Sequence, residues 1–91
     1  MAIVAVWQRI DEESVVVALQ EAGEKLDSAE GEVVLDFSLV HRVDASAMRA
    51  IEEFANAADA KAVRVALRGV NVDVYKVLKL VKLTSRFSFV A

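Results

Sequence analysis

Hydrophobic and polar positions follow two different periods along this sequence. Short apolar runs rich in β-branched residues, typical of strands, occupy residues 2–7, 33–37, 61–67 and 87–90. Between them lie three stretches in which apolar residues recur every three or four positions, as on one face of a helix. The order β-α-β-α-β-α-β with short connections predicts an α/β fold: a mainly parallel four-stranded sheet with about three helices and right-handed crossovers.

Each predicted helix follows a polar residue whose side chain can accept hydrogen bonds from free backbone N–H groups. These N-cap candidates are Asp11, Asp44 and Asn71. Glu12 and Glu13 then place negative charge at the positive end of the first helix. The positions expected to face the core are Val15, Leu19, Ala22 and Leu26 in the first helix, Met48, Ile51, Phe54, Ala55 and Ala58 in the second, and Val74, Val77, Leu78 and Val81 in the third.

The strand predicted at residues 33–37 has apolar residues that run together instead of alternating with polar ones. Continuous apolar strands are typical of parallel sheets with both faces covered. We therefore expect this sheet to be covered on both faces.

Composition indicates one folded domain over residues 1–91, because 56% of residues are hydrophobic and 27% are charged. The absence of cysteine excludes a disulfide scaffold, a thiolate metal site and cysteine catalysis. No apolar run approaches the roughly 20 residues that span a bilayer, and the N-terminus lacks the features of a signal peptide. We expect a cytoplasmic protein without membrane insertion.

The sequence contains no motif that predicts an enzyme or a cofactor site. It has neither GxGxxG nor GxxxxGK[ST], and His41 is its only histidine, with no cysteine to share a metal. His41, Asp44 and Ser46 include the residue types of a hydrolytic triad, but they lie within one short segment and no oxyanion loop accompanies them. A net charge of −3 gives no indication of nucleic-acid binding. We predict a protein without catalytic activity, metal or cofactor.

The segment VDASAM, residues 43–48, joins the second strand to the second helix. Asp44 is expected to cap this helix, which places Ser46 in its first turn with an outward hydroxyl between Ala45 and Ala47. Ser46 is then either a small helix-start residue or a phosphorylation site. A phosphate there would add about −1.5 to −2 charge at the favourable end of the helix dipole.

Two segments carry a resemblance to a known family: GEVVLDFSLVHRVDASAM and VRVALRGVNVDVYKVLKLVKL. Over residues 11–90 the sequence resembles STAS domains, the family named for sulfate transporters and anti-sigma-factor antagonists. Asp36 matches the acid that ends a strand in that family, and Asp44 matches the acid of its Asp-Ser-Ser-Gly motif. Ser46 falls on the second motif serine, the phosphorylated one in anti-sigma-factor antagonists, while Ala45 and Ala47 replace the first serine and the glycine.

The resemblance implies a non-catalytic interaction module of bacterial signalling, an anti-sigma-factor antagonist that docks on a serine-kinase anti-sigma factor. Phosphorylation of Ser46 would release it by placing charge in a desolvated contact. The alternative is the small STAS subunit of an ABC-type phospholipid transport complex, which binds the ATPase subunit. The partner-binding residues implied are Ser38, His41, Asp44, Ala45, Ser46, Ala47, Met48 and Arg49.

The sequence has room for one strand before the first helix, where the family usually has two, and it stops at Ala91, before the family's usual C-terminal helix. We therefore expect a minimal domain whose bare sheet edge is available for pairing with a second copy, as in a homodimer.

Charge is distributed unevenly, and this generates a first prediction. Residues 1–60 hold 4 basic and 13 acidic side chains, whereas residues 61–91 hold 7 basic and 1 acidic. If the basic part docks on a partner, association should slow as salt rises, because screening shortens the range of attraction. Stopped-flow association rates at low and high ionic strength measure this. A rate that salt leaves unchanged would mean that the asymmetry plays no part in docking.

Overall fold

A computed structural model describes residues 6–26 and 31–90 of the chain. The elements in chain order are β1 (Val6–Arg9), a short 3-10 helix (Glu12–Ser14), α1 (Val15–Glu24), β2 (Glu32–Asp36), α2 (Ala45–Ala60), β3 (Arg64–Arg68), α3 (Val72–Leu80), a second 3-10 helix (Thr84–Arg86) and β4 (Ser88–Val90).

The four strands form one sheet in the order β1-β2-β3-β4, and every neighbouring pair is parallel. This confirms the predicted fold class. Since each crossover leads to the next strand in the same direction, right-handed connections place α1, α2 and α3 on the same face. The carboxyl ends of the strands, and the loops that follow them, therefore gather at one edge of the sheet.

The prediction that both faces of the sheet are covered is wrong for the described residues. In β2, the side chains of Val33 and Leu35 are fully buried beneath the helices, whereas Val34 between them is only half-buried. Trp7, paired with Val34 in the register, is 49% exposed. An apolar run in a strand therefore does not require helices on both faces of the sheet. Val34 lies on the face that carries none of the described helices.

The open face is partly organised by a cation–π contact. The guanidinium carbon of Arg68 lies 5.1 Å from the centroid of the Trp7 ring, across the intervening strand β2. Ala66, which faces the same way, is small and buried at 3% exposure. On the helix face, Tyr75 of α3 meets Phe89 of β4 edge to face at 5.1 Å.

The predicted core positions of the first two helices are confirmed: every predicted residue is buried, except Met48, which is half-buried against the core. The third helix departs from prediction at its end, since Val81 is 45% exposed. α3 stops at Leu80, and the backbone turns at Lys82 with φ +62°. Leu83, beyond this turn, is buried at 3% exposure, so it joins the core and Val81 does not.

Several predicted boundaries and one cap differ from the structure. Residues 2–5 of the first predicted strand lie outside the described residues, and β1 ends at Arg9, two residues later than predicted. Asp11 makes no side-chain capping bond; its backbone carbonyl accepts from the Ser14 N–H at 3.1 Å and closes the 3-10 turn that delays α1 to Val15. No helix in the described part of the chain is long and apolar enough to cross a membrane.

Replacing Gly69 or Gly23 by alanine should change the free energy of unfolding in opposite directions. Gly69 has φ +71°, and an added Cβ would lie 2.8 Å from the Cβ of Ser38. Gly69→Ala should therefore lower the free energy of unfolding by at least about 1–2 kcal/mol, from the left-handed backbone alone. Gly23 lies within α1 with nothing near its would-be Cβ, so Gly23→Ala should raise it by about 0.5–1 kcal/mol.

Chemical denaturation of the two variants beside the wild type measures both shifts. A stabilising Gly69→Ala would contradict the close approach of the β3–α3 turn to the β2–α2 loop.

Candidate functional site

The β2–α2 loop, residues 37–44, crosses the carboxyl edge of the sheet and carries most of the predicted site residues. Two buried side chains, Phe37 and Val40, anchor it in the core. The Phe37 N–H donates to the Arg68 carbonyl at 2.8 Å, and the Val40 N–H donates to the Phe37 carbonyl at 2.9 Å. The loop is therefore fixed to both the core and strand β3 where it begins.

Asp36, the acid that ends β2, is bound to the start of this loop. Its Oδ1 accepts from the Ser38 backbone N–H at 3.0 Å. The Ser38 hydroxyl first, and then its backbone N–H, hold the pKa of the Asp36 carboxyl below its usual value. Asp36 therefore shapes the turn at Ser38 and stays ionised at neutral pH.

Asp44 caps α2 as predicted. Its Oδ1 accepts from the Ala47 N–H at 2.7 Å, and its carbonyl accepts from the Met48 N–H at 2.9 Å. Ser46 lies in the first turn of the helix and is exposed. Ala47 instead points into the core at 4% exposure, so its side chain is a packing residue and not part of the surface.

Glu12 is the site residue that sequence reasoning missed. One carboxylate oxygen, Oε1, accepts two backbone bonds from the loop, from the His41 N–H at 2.8 Å and from the Arg42 N–H at 2.8 Å. These two bonds, that of His41 first, lower the pKa of Glu12 from its ordinary value. The partners lie 29 and 30 positions away, so no local pattern could have indicated the contact.

Asn71 binds the same loop from the other side. Its Oδ1 caps α3 by accepting from the Val74 N–H at 2.8 Å, which confirms the predicted N-cap. Its Nδ2 donates to the carbonyls of Val40 and His41, both at 3.3 Å. The loop is thus held between the start of α1 and the start of α3.

His41, Asp44 and Ser46, the residue types of a hydrolytic triad, do not bind one another in the structure. Asp44 is engaged as a cap, and the Nδ1 atom of His41 lies 3.9 Å from Glu12 Oε1, an ion pair only when the ring is protonated. The His41 side chain is 71% exposed. Among the described residues, no group of three His, Cys, Asp or Glu side chains could hold a metal ion.

Ser46 borders two shallow depressions on the surface. One lies between the 3-10 helix and α2 and includes Glu12, Arg42 and Asp44; the other lies between α1 and α2 and includes Arg49. Of the predicted partner-binding residues, Ser38, His41, Asp44, Ala45, Ser46 and Arg49 are exposed, and Met48 is half-buried.

Comparison with solved structures shows the same fold. A proposed anti-sigma factor antagonist from Thermotoga maritima aligns with a TM-score of 0.75 and 19% identity, over 97% of this chain and 81% of that one. The NMR structure of that protein aligns with a TM-score of 0.75 and 18% identity, over 94% and 73%. A sulfate transporter family protein from Wolinella succinogenes aligns with a TM-score of 0.78 and 20% identity, over 93% and 75%.

A search of curated proteins finds no match to this sequence. The sequence profile of the STAS domain, in contrast, matches residues 3–90. This range includes every strand and helix described above. The chain therefore belongs to the STAS domain family.

Proposed function

We propose that this protein is a non-catalytic interaction module that works as an anti-sigma-factor antagonist. It docks on a serine-kinase anti-sigma factor through the β2–α2 loop and the first turn of α2, and phosphorylation of Ser46 releases it. The observation that carries the proposal is the exposed Ser46 hydroxyl in the first turn of a helix whose cap, Asp44, is already satisfied.

The position of Ser46 suits a modification that changes the surface without unfolding the domain. A phosphate in the first turn lies at the positive end of the α2 dipole, which favours negative charge. The carboxylates of Asp44 and Glu12 border the same depression. A dianion added there would make this surface strongly acidic, and a partner shaped for the neutral serine would have to bury an unpaired charge.

The exposed residues around Ser46 supply the rest of the proposed contact. Ser38 and His41 lie on the loop, Ala45 is a small residue beside the serine, and Arg49 follows on the next turn of α2. Met48, two residues after Ser46, packs against the core and leaves part of a flexible apolar side chain accessible. This mixture of small, apolar and cationic groups suits a protein partner better than a nucleic acid, because the overall charge is −3.

The partner is to be isolated with the tagged chain from its native cell and identified by mass spectrometry. A serine kinase supports the proposal. An ATPase subunit of a transport complex would replace it with the alternative, a STAS subunit that docks through the same surface. Mass spectrometry of residue 46 in the same sample reports whether it is phosphorylated.

Substitutions at Ser46 should separate binding from folding. Ser46→Ala should change the free energy of unfolding by no more than about 0.5 kcal/mol, because alanine is the better helix former and the side chain is exposed. Ser46→Asp should fold as well, since the helix dipole favours the acid by about 0.3–1 kcal/mol, less the repulsion of Asp44. The aspartate should weaken partner binding at least about a hundredfold, whereas alanine should keep it.

Ser85→Asp is the matched control. Ser85 is also exposed, but it borders a different depression, shared with Arg64, at the amino edge of the sheet and opposite the proposed contact. Titration of the purified partner against the wild type and the three variants, with melting curves, gives the comparison. Equal affinity for Ser46→Asp and the wild type would reduce Ser46 to a helix-start residue, and equal losses in both aspartate variants would indicate a nonspecific effect of charge.

A further inference from the structure

The bonds made by Glu12 lie at the surface and not in the core. Its side chain is 41% exposed, yet one oxygen atom accepts two successive backbone N–H groups. Paired N–H groups directed at one anion form a concave site that favours negative charge. Bonds to an ionised acceptor are also stronger than bonds between neutral groups. Glu12 therefore holds loop backbone that water would otherwise solvate.

The peptide groups around His41 are held from two sides. Glu12 accepts from the His41 N–H, and Asn71 donates to the His41 carbonyl. The chain then runs through Arg42, also bound by Glu12, to the cap residue Asp44. Only Val43 lies between the last loop residue held by Glu12 and the cap of the helix that carries Ser46. The direction of the loop relative to Ser46 thus depends on the carboxylate of Glu12, which belongs to the 3-10 helix before α1.

Charged side chains lie around Glu12 on three parts of the chain. His41 and Arg42 face it from the loop, and the carboxylate of Asp44 at the start of α2 borders the same depression. Glu13 lies next to Glu12 on the 3-10 helix and borders the depression as well. Both glutamates are exposed, but among the described contacts only Glu12 binds the loop.

We propose that Glu12 is a positioning residue for partner binding: its carboxylate holds the backbone of His41 and Arg42 so that the loop and Ser46 are presented to the partner in one arrangement. This role rests on the proposed docking surface, although Glu12 itself need not touch the partner. Loss of the carboxylate would leave the sheet and helices in place and free the loop. The partner would then have to order the loop upon binding, which lowers affinity.

The hold on the loop can be observed without any partner. In an assigned amide NMR spectrum of the whole chain, the His41 and Arg42 protons should follow the ionisation of Glu12. Because the pKa of Glu12 in the folded protein is lowered from 4.5, the bonds are fully present above that value and are lost as pH falls through the lowered pKa. Both amide signals should move upfield in that range in the wild type and in Glu13→Ala.

Glu12→Ala should abolish this titration of the two amides, and their signals at neutral pH should lie where the acid-titrated wild type places them. If the His41 and Arg42 amide signals shifted identically with pH in the wild type and in Glu12→Ala, the proposal would be overturned. In that case another carboxylate, Asp44 or Glu13, would be the group they sense.

Partner affinity provides the second measurement. Against the partner purified with the wild type, Glu12→Ala should bind about tenfold more weakly, the size expected for lost charge-assisted hydrogen bonds. Glu12→Gln keeps an oxygen acceptor without the charge and should recover part of the affinity, while Glu13→Ala should bind like the wild type. Melting temperatures of Glu12→Ala and Glu12→Gln should fall modestly, because the lost bonds form only in the folded protein. Glu13→Ala should melt like the wild type, and all three variants should remain folded during the titration.

The two proposals fail in different ways. Unchanged affinity of Glu12→Ala, together with loss of its amide titration, would overturn the positioning role and leave the Ser46 switch intact. Unchanged affinity of Ser46→Asp, together with weak binding by Glu12→Ala, would remove the switch and support the role of Glu12.

Discussion

The parallel pairing of β2 with both of its neighbours is the constraint on which the rest of the structure depends. Parallel strands leave the sheet at the same edge, so the ends of β1, β2 and β3 lie side by side. The chain after each of these strands must turn there and start a helix on one face. Three helix starts with free N–H groups therefore meet around a single loop, and their polar side chains come within reach of its backbone.

Four side chains bind backbone groups of the loop and of the helix starts, and they do so over different distances in the sequence. Asp36 acts locally, on the Ser38 N–H at the start of the loop. Asp44 acts locally, as a cap for its own helix. Asn71 combines a local cap on α3 with bonds to loop carbonyls about 30 positions earlier. Glu12 binds the loop only at long range. The loop lies at the surface above the buried side chains of Phe37 and Val40. Glu12 and Asn71 bind peptide groups of the loop that water would otherwise solvate.

This difference in range explains what the sequence could predict. Caps such as Asp44 and Asn71 follow from a few neighbouring residues, and helical spacing identified the buried faces of α1 and α2, because both are local properties. The one-sided sheet, the exposure of Val81 and the role of Glu12 depend instead on tertiary placement. Asp11 failed as a cap because the chain there forms a 3-10 turn, in which its carbonyl and not its carboxylate accepts the bond.

Ser46 combines an accessible side chain with a fixed backbone. Its hydroxyl is exposed, yet the backbone beside it is held by the Asp44 cap and, through the loop, by Glu12. A rigid backbone allows a partner to be closely complementary to the surface. A single added group then lowers the affinity, because it clashes with the partner or leaves a charge unpaired. On a mobile loop the same group could move aside at little cost. The bonds that fix the loop are therefore what would turn one small modification into a large change in affinity.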